Sequence, residues 1–467
     1  MAVAAAHPTS DTAPIDAEAL ETLRSDFRGP LLQPGDESYD AARQIWNAMI
    51  DRRPALIAQC TGVVDVMRAV DFAHAHDLLL AVRGGGHNVA GNAVCDGGLM
   101  LDLSLMKGIR VDPMERTVRA EGGVTWGELD RETQALGLAT TGGTVSSTGI
   151  AGLTLGGGFG WLMRRHGLAC DNLLTADIVT ADGRLVYASA DENADLFWGL
   201  RGGGGNFGVV TSFEFRLHEV GPTVLSGPIF HPIEVARDLF RFFGEVGPTL
   251  PETVGCMAAL VTSPEGIPLA ALFPVYAGPL DRGEDALRPL RQFGSPIADL
   301  VAPTPYRTAQ TMFDAAFPAG LRNYWKSSFL RGLDDAAIAV MADHFRRVPS
   351  PHAGIAIELF GGAVGRARAD ATAFAHRTSP FDAIIFSAWD DPAYDQANIS
   401  WVRELWQALQ PSATDAVYVN YLGDSRDEGS DRVRSAYGAA AYQRLATLKR
   451  KYDPTNLFSM NQNIAPA

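Results

Sequence analysis

The chain has 467 residues, 46% of them hydrophobic and 20% charged, enough for about two to three domains with solvent-excluded cores and too apolar for a disordered or fibrous chain. Lys and Arg number 39 against 54 Asp and Glu, and the net charge of -15 argues against binding to nucleic acid or an anionic lipid surface. The stretch Met1–Pro14 lacks the basic start and apolar core of a signal peptide, and no run is long enough to span a bilayer, so a cytoplasmic protein with a frayed N-terminal tail is expected.

In chain order, a helical pattern begins at Ala41, followed by a short strand at Ala55–Gln59 and a helix carried by Val63, Val66, Met67, Val70 and Phe72. The apolar strand Leu78–Arg83 then runs into glycines, and strand, helix, strand in this order predicts a βαβ unit. Strands are expected at Gly98–Ser104 and around Ile109 and Val118, a helix at Trp126–Leu136, and a hairpin over Leu174–Ala188 turning at Asp182-Gly183. Beyond Val220 prolines cluster. Strands at Val254–Val261, Leu269–Tyr276, Ile355–Phe360 and Ala383–Trp389, with helices at Glu234–Phe243 and Ala336–Phe345, predict an antiparallel sheet covered by helices. A strand Val417–Tyr421 and a basic helix Arg432–Lys451 close the chain.

Three loops concentrate the glycines: Arg83-Gly-Gly-Gly-His87-Asn88, the run from Gly149 through Gly152, Gly156 and Gly158 to Gly160, and Gly202 to Gly208. Glycine lets backbone N–H groups approach a phosphate closely, and three such loops in one half of a chain point to a large phosphate-bearing cofactor. Gly203-x-Gly205-x-x-Gly208 matches the dinucleotide fingerprint as text, but a helix precedes it and the strand Val209–Phe215 follows. That order is inverted relative to a nicotinamide site, which is therefore rejected. The four cysteines, at 60, 95, 170 and 256, are too dispersed for a redox pair or zinc knuckle and read as buried thiols. The histidines have no metal-ligand spacing.

The string Leu80–Gly91, with Leu101-Asp-Leu-Ser104 after it, resembles the pyrophosphate loop of the FAD-linked oxidases of the vanillyl-alcohol-oxidase or PCMH type, specifically bacterial members of the berberine-bridge-enzyme-like branch. Gly156–Gly160 with Arg165–Asn172, and the ending Lys451–Asn463, resemble that branch's second FAD loop and C-terminal signature. The resemblance implies an α+β fold: a PCMH-type FAD-binding domain of two α/β subdomains with an inserted substrate domain on an antiparallel sheet. The expected division is 1–40 tail and lead-in helix, 41–220 FAD domain, 221–423 substrate domain, and 424–467 a C-terminal segment returning to the FAD domain.

The resemblance also implies an FAD-dependent oxidase acting on an alcohol, hemiacetal or similar carbon of a small metabolite, with oxygen as acceptor. An oxidative cyclase, amine oxidase or oxygenase on the same fold, and a non-catalytic flavin-binding protein, are the alternatives. His87 matches the position of covalent flavin attachment. Val145 stands where many relatives carry a second, cysteinyl link, so one bond is expected, with Val145, Ser147 and Thr148 beside the flavin. The expected cofactor set is Arg83, Gly84, Gly85, Gly86, His87, Asn88, Gly91, Val145, Ser147, Thr148, Gly149, Gly152, Gly156, Gly158, Gly160, Asn172, Val209, Asn420, Asn461 and Asn463.

Three residues are candidate proton acceptors. On a strand Val417–Tyr421 the two-residue period puts Tyr418 and Asn420 on one face, matching the family's Tyr-x-Asn strand. Glu358 is an acid within the apolar run Ile355–Phe360: it is either buried with a raised pKa or turned outward on a one-sided sheet. His166 replaces a tyrosine common in relatives. Tyr324 and Lys326 read either as pocket residues or as a solvated edge.

Overall fold

A computed structural model describes residues 15–467, so the expected tail Met1–Pro14 lies outside the described residues. The lead-in helix is Ala17–Ser25, capped by the Asp16 carboxylate on the Ala19 amide at 3.0 Å. The helical pattern at Ala41 amounts to one turn, Tyr39–Ala42, and the chain then runs irregularly to Pro54.

Three sheets organise the molecule. In the first, the strands Leu56–Gln59, Leu99–Asp102 and Leu80–Arg83 lie parallel in that order, and Leu31–Leu32 adds an antiparallel edge. The helix Val63–Ala75 packs Val66, Ala69 and Val70 onto Leu56, Leu80 and Leu99, which sends the Leu80–Arg83 strand straight into the first glycine loop. The second sheet is antiparallel, in the order Ile109–Asp112, Thr117–Glu121, Val209–Arg216, Leu173–Val179 and Leu185–Ser189. The C-terminal helix Ala439–Tyr452 returns to this sheet: Leu445 and Leu448 share a core with Val118, Ala176 and Phe213. Its Lys449 is fully buried, donating to Asp453 at 2.7 Å and to the carbonyls of Asn206 and Phe458 at 2.8 and 2.9 Å. The basic stretch expected as one helix is broken by Gly438, whose φ of 74° separates Ser425–Tyr437 from Ala439–Tyr452.

The third sheet has nine strands, and toward one edge it runs Val254–Thr262, Gly354–Leu359, Phe381–Trp389 and Arg322–Leu330, all antiparallel. Alternation divides its faces. Ile355, Ile357 and Leu359 pack under the helices Ala236–Val246, Asp335–Phe345 and Asp395–Leu409. Ala356 and Glu358 point the opposite way, toward the first two sheets. The observed architecture is the α+β fold expected from the sequence, and all four cysteines are buried and free.

The expected strand Val417–Tyr421 does not form. The segment runs past the third sheet and closes in a single 3₁₀ turn, Val419–Tyr421, with the Tyr421 amide donating to the Tyr418 carbonyl at 3.0 Å. A three-residue period replaces the two-residue one, so Tyr418 and Tyr421 stand on the same side, their rings 4.8 Å apart.

Candidate active site

One cavity of about 1070 Å³ runs between the glycine loops and the exposed face of the third sheet. Of the expected cofactor residues, Gly84, Gly85, Gly86, His87, Asn88, Val145, Thr148, Gly149, Gly152, Val209, Asn420 and Asn461 line it. The Gly84–Gly86 and Thr148–Gly149 stretches touch backbone to backbone, because a Cβ on Gly149 would overlap the Gly85 amide nitrogen. At Gly152 and Gly205 a Cβ would meet no protein atom within 4 Å and would project into open space. Backbone amides bare of side chains around so large a space fit a phosphate-bearing dinucleotide such as FAD. Gly204, Gly205 and Gly208 also line the cavity. The loop rejected as a nicotinamide fingerprint does sit between the helix Ala194–Leu200 and the strand Val209–Arg216, yet it belongs to the cradle. Asn206 anchors it, donating to Gly203 at 2.9 Å and accepting from the Ile464 amide at 2.9 Å.

Eight expected cofactor residues lie behind the cavity wall. Arg83 turns back to donate to the Ala42 carbonyl at 2.7 Å, and the Gly91 carbonyl accepts from Arg52 at 2.8 Å. Asn172 is spent on the carbonyls of His166 and Leu168 at 3.1 and 2.8 Å, and Ser147 and Asn463 contribute nothing to the wall. Gly156, Gly158 and Gly160 form a clamp. Gly156 leaves room for the Asn420 amide, the Gly158 N–H donates to the Tyr418 hydroxyl at 2.9 Å, and Gly160 lies against the Gly142 carbonyl.

His87 is stacked on Trp46 with ring centroids 4.3 Å apart. Burial lowers its pKa to about 4 and its Nε2 has no hydrogen-bond partner, so the imidazole is neutral. The irregular segment after Ala42 ties this residue to the third sheet. The Trp46 amide donates to Gly86, and Asn47 donates to both Val89 and Asn323, at 3.1, 2.9 and 3.0 Å.

The opposite wall is apolar and aromatic: Met257, Phe273, Phe313, Phe317, Trp325, Ile384 and Phe386 line it, with Phe317 5.2 Å from Phe386 and 5.7 Å from Trp325. Glu358 is a buried acid in this wall, 3% exposed. Burial lifts its carboxyl to about 7, and the Tyr421 hydroxyl donates to its Oε1 at 3.1 Å. Tyr421 was missed in the sequence because a strand period turned it away from Tyr418; its place three residues on within a 3₁₀ turn was the available signal. Tyr418 also lines the cavity, but its hydroxyl accepts from Gly158 and from Asn420, at 2.9 and 2.7 Å, and its ring lies flat on Phe159 at 3.5 Å.

His166 does not reach the cavity. It stacks on His218 at 3.8 Å, burial lowers its pKa to about 3, and His218 in turn pairs with Asn172 at 2.7 Å. A short helix, Met163–His166, followed by Gly167 carries its ring behind the second glycine loop. Lys326 is likewise withdrawn from the cavity, buried in ion pairs with Asp427 and Glu428 at 2.9 and 2.8 Å. No Lys or Arg lines the cavity among the described residues.

Comparison with known proteins agrees with this geometry. A family model described as an FAD binding domain matches residues 54–189, and one described as berberine and berberine like matches 417–465. An FAD-linked oxidoreductase of Dictyostelium discoideum is 33% identical, with 94% of this chain and 95% of the relative covered. The (R)-6-hydroxynicotine oxidase of Paenarthrobacter nicotinovorans is 32% identical, with 94% and 97% covered. Among solved structures, 6-hydroxy-D-nicotine oxidase from Arthrobacter nicotinovorans superposes with a TM-score of 0.87 at 30% identity, covering 94% of this chain and 98% of its own. A chitooligosaccharide oxidase shares the fold, with a TM-score of 0.86 at 24% identity over 96% of this chain and 100% of its own. A glycine cradle for FAD, a C-terminal segment that locks it, and whole-length similarity to FAD-linked oxidoreductases together place this chain in the vanillyl-alcohol-oxidase/PCMH superfamily, as an FAD-linked oxidoreductase of its berberine-bridge-enzyme-like branch.

Proposed function

We propose that this chain is an oxidase with FAD attached through His87 alone, which oxidises a carbon bearing O–H or a comparable group on a small, uncharged or cationic, largely aromatic metabolite and passes the electrons to oxygen. The observation that carries the reading is the Glu358–Tyr421 pair, set in an aromatic wall facing the glycine cradle across one cavity. In this reading residues 41–220 and 424–467 hold the cofactor, and 221–423 shape the substrate end, after a lead-in over 1–40.

Bound FAD supplies a two-electron acceptor that oxygen can reoxidise. Gly84–Gly86, Gly149, Gly152, Gly204, Gly205 and Gly208 would hold the cofactor, and a neutral His87 keeps the nitrogen lone pair that a covalent attachment there would need. Trp46 fixes the plane of that imidazole. Val145 and Thr148 stand on the cavity beside it, where a second link is absent. Tyr421 takes the proton leaving the substrate as its own proton passes to Glu358 Oε1, so the relay ends with a neutral acid and a neutral phenol. The aromatic side chains would exclude water and stack a flat substrate, and among the described residues no Lys or Arg lines the cavity to meet a carboxylate or phosphate. The relative named for 6-hydroxynicotine acts on a molecule of this size and type.

Anaerobic mixing of the flavin-loaded enzyme with neutral aromatic alcohols, aromatic amines and oligosaccharides tests the reading. The aromatic substrates should bleach the flavin, and admitting air should restore its colour with release of peroxide. Bleaching by oligosaccharides alone would overturn it. Gly149→Ala should force the two touching loops apart at a cost of about 1–3 kcal/mol or more, seen as a lowered melting temperature and poor flavin retention. Gly332→Ala, where a Cβ would meet nothing, should have little effect.

A further inference from the structure

A second acid faces Glu358 across the sheet. The ladder between Gly354–Leu359 and Phe381–Trp389 pairs Glu358 with Asp382, while on its other side Asp382 pairs with Phe329. Directly opposed residues in an antiparallel ladder share a face, with Cβ atoms about 4.5–5.5 Å apart. Asp382 is 0% exposed, and neither of its carboxyl oxygens has a hydrogen-bond partner; Glu358 Oε2 has none either. Only Oε1 of the four oxygens is served, by Tyr421.

Among the described residues no side chain donates to Asp382: the Tyr421 hydroxyl donates to Glu358, and the Tyr418 hydroxyl accepts from Gly158 and Asn420. Arg432, on the helix Ser425–Tyr437, attracts Asp382 from a distance, but its guanidinium is engaged by Glu428 at 2.6 Å and the Ser327 carbonyl at 3.1 Å. An enclosed carboxylate without a donor is costly, and two side by side cost more. One proton held between them removes both penalties with a single hydrogen bond.

We propose that Asp382 is a positioning residue that keeps one proton and donates it to Glu358 Oε2, so that Glu358 meets the cavity as an acceptor. This rests on Glu358 being the proton acceptor of the reaction. The pair then carries one proton at rest and two once the substrate's proton has arrived, and the second leaves to solvent before the next turnover. Burial raises the proton affinity of both acids and the Glu358 charge raises that of Asp382 further, which agrees with a shared proton.

The test uses the flavin-loaded enzyme. With aspartate carboxyls labelled by ¹³C, infrared spectra at neutral pH should show an isotope-shifted carbonyl band of an un-ionised acid, absent in Asp382→Asn. Asp382→Leu, which leaves Glu358 Oε2 without a donor, should move the acid limb of anaerobic flavin reduction up by about one pH unit or more. Asp382→Asn, which supplies an N–H in the same place, should restore the limb to near its original position. A merely structural Asp382 would change the melting temperature and leave the limb in place. Absence of the labelled acid band overturns the proposal, as does an unmoved limb in folded Asp382→Leu. If the leucine variant does not fold, the infrared band decides. An undiminished reduction rate in Glu358→Gln would instead remove the base assignment while leaving the band intact, so the two failures are distinguishable.

Discussion

His87→Ala should convert a protein whose yellow colour stays in the pellet after acid precipitation into one that leaves all its flavin in the supernatant. The structure makes His87 suited to the bond: it lines the cavity, burial lowers its pKa and keeps it neutral at neutral pH, and Trp46 stacked on it restricts its ring. Intact wild-type protein should weigh one FAD more than the bare chain, and the adduct should map to the His87 peptide. Cys95 and Cys170 are fully buried, and the pKa of each is raised by burial, so neither is a competent thiolate. A second flavinylated peptide would contradict a single link. The glycine cradle should still hold FAD non-covalently in the variant, giving a yellow native protein with a colourless acid pellet.

Tyr421→Phe should slow anaerobic flavin reduction by about 10²–10⁴-fold, the usual contribution of a general base and its relay. Tyr418→Phe should slow it much less. The contrast follows from hydrogen-bond direction: the Tyr421 hydroxyl donates to Glu358, whereas the Tyr418 hydroxyl receives the Gly158 amide and the Asn420 side chain. Loss of the Tyr418 hydroxyl leaves a buried backbone N–H without its acceptor and should appear as about 1–3 kcal/mol of lost stability. Equal slowing in both variants would mean that the relay has been assigned to the wrong phenol.

These two expectations show what the sequence carried and where it stopped. The first glycine loop and His87 were legible because a parallel strand delivering a chain into consecutive glycines is a local pattern, and Leu80–Arg83 has it. Glu358 was legible as an acid out of place in an apolar strand, although only the fold shows that its face is covered by the first half of the chain. Val417–Tyr421 was expected as a strand because β-branched and aromatic residues in alternation imitate one; tertiary packing chose a 3₁₀ turn, which brings Tyr421 to the cavity beside Tyr418. The second glycine run divides: Gly149 and Gly152 line the cavity, whereas Gly156 and Gly158 pack against Asn420 and Tyr418. His166 and Asn172, singled out from the sequence motif, lie beside His218 and off the cavity, where a helical turn and a positive-φ glycine direct them. Asp382 was invisible, because strand pairing alone sets it opposite Glu358.

The central claim is that Glu358 receives the substrate's proton through Tyr421, and the pH dependence of anaerobic flavin reduction tests it most directly. Since burial raises the Glu358 pKa, the carboxyl is protonated and idle on the acid side and becomes an acceptor as pH rises through about 7. The reduction rate of the wild type should therefore climb through that range to a plateau. In Glu358→Gln the rate should be lower by about 10²–10⁴-fold and the climb should vanish, with flavin content and colour unchanged. A wild-type rate independent of pH across that range, or a Glu358→Gln enzyme that keeps the same climb, would contradict the account.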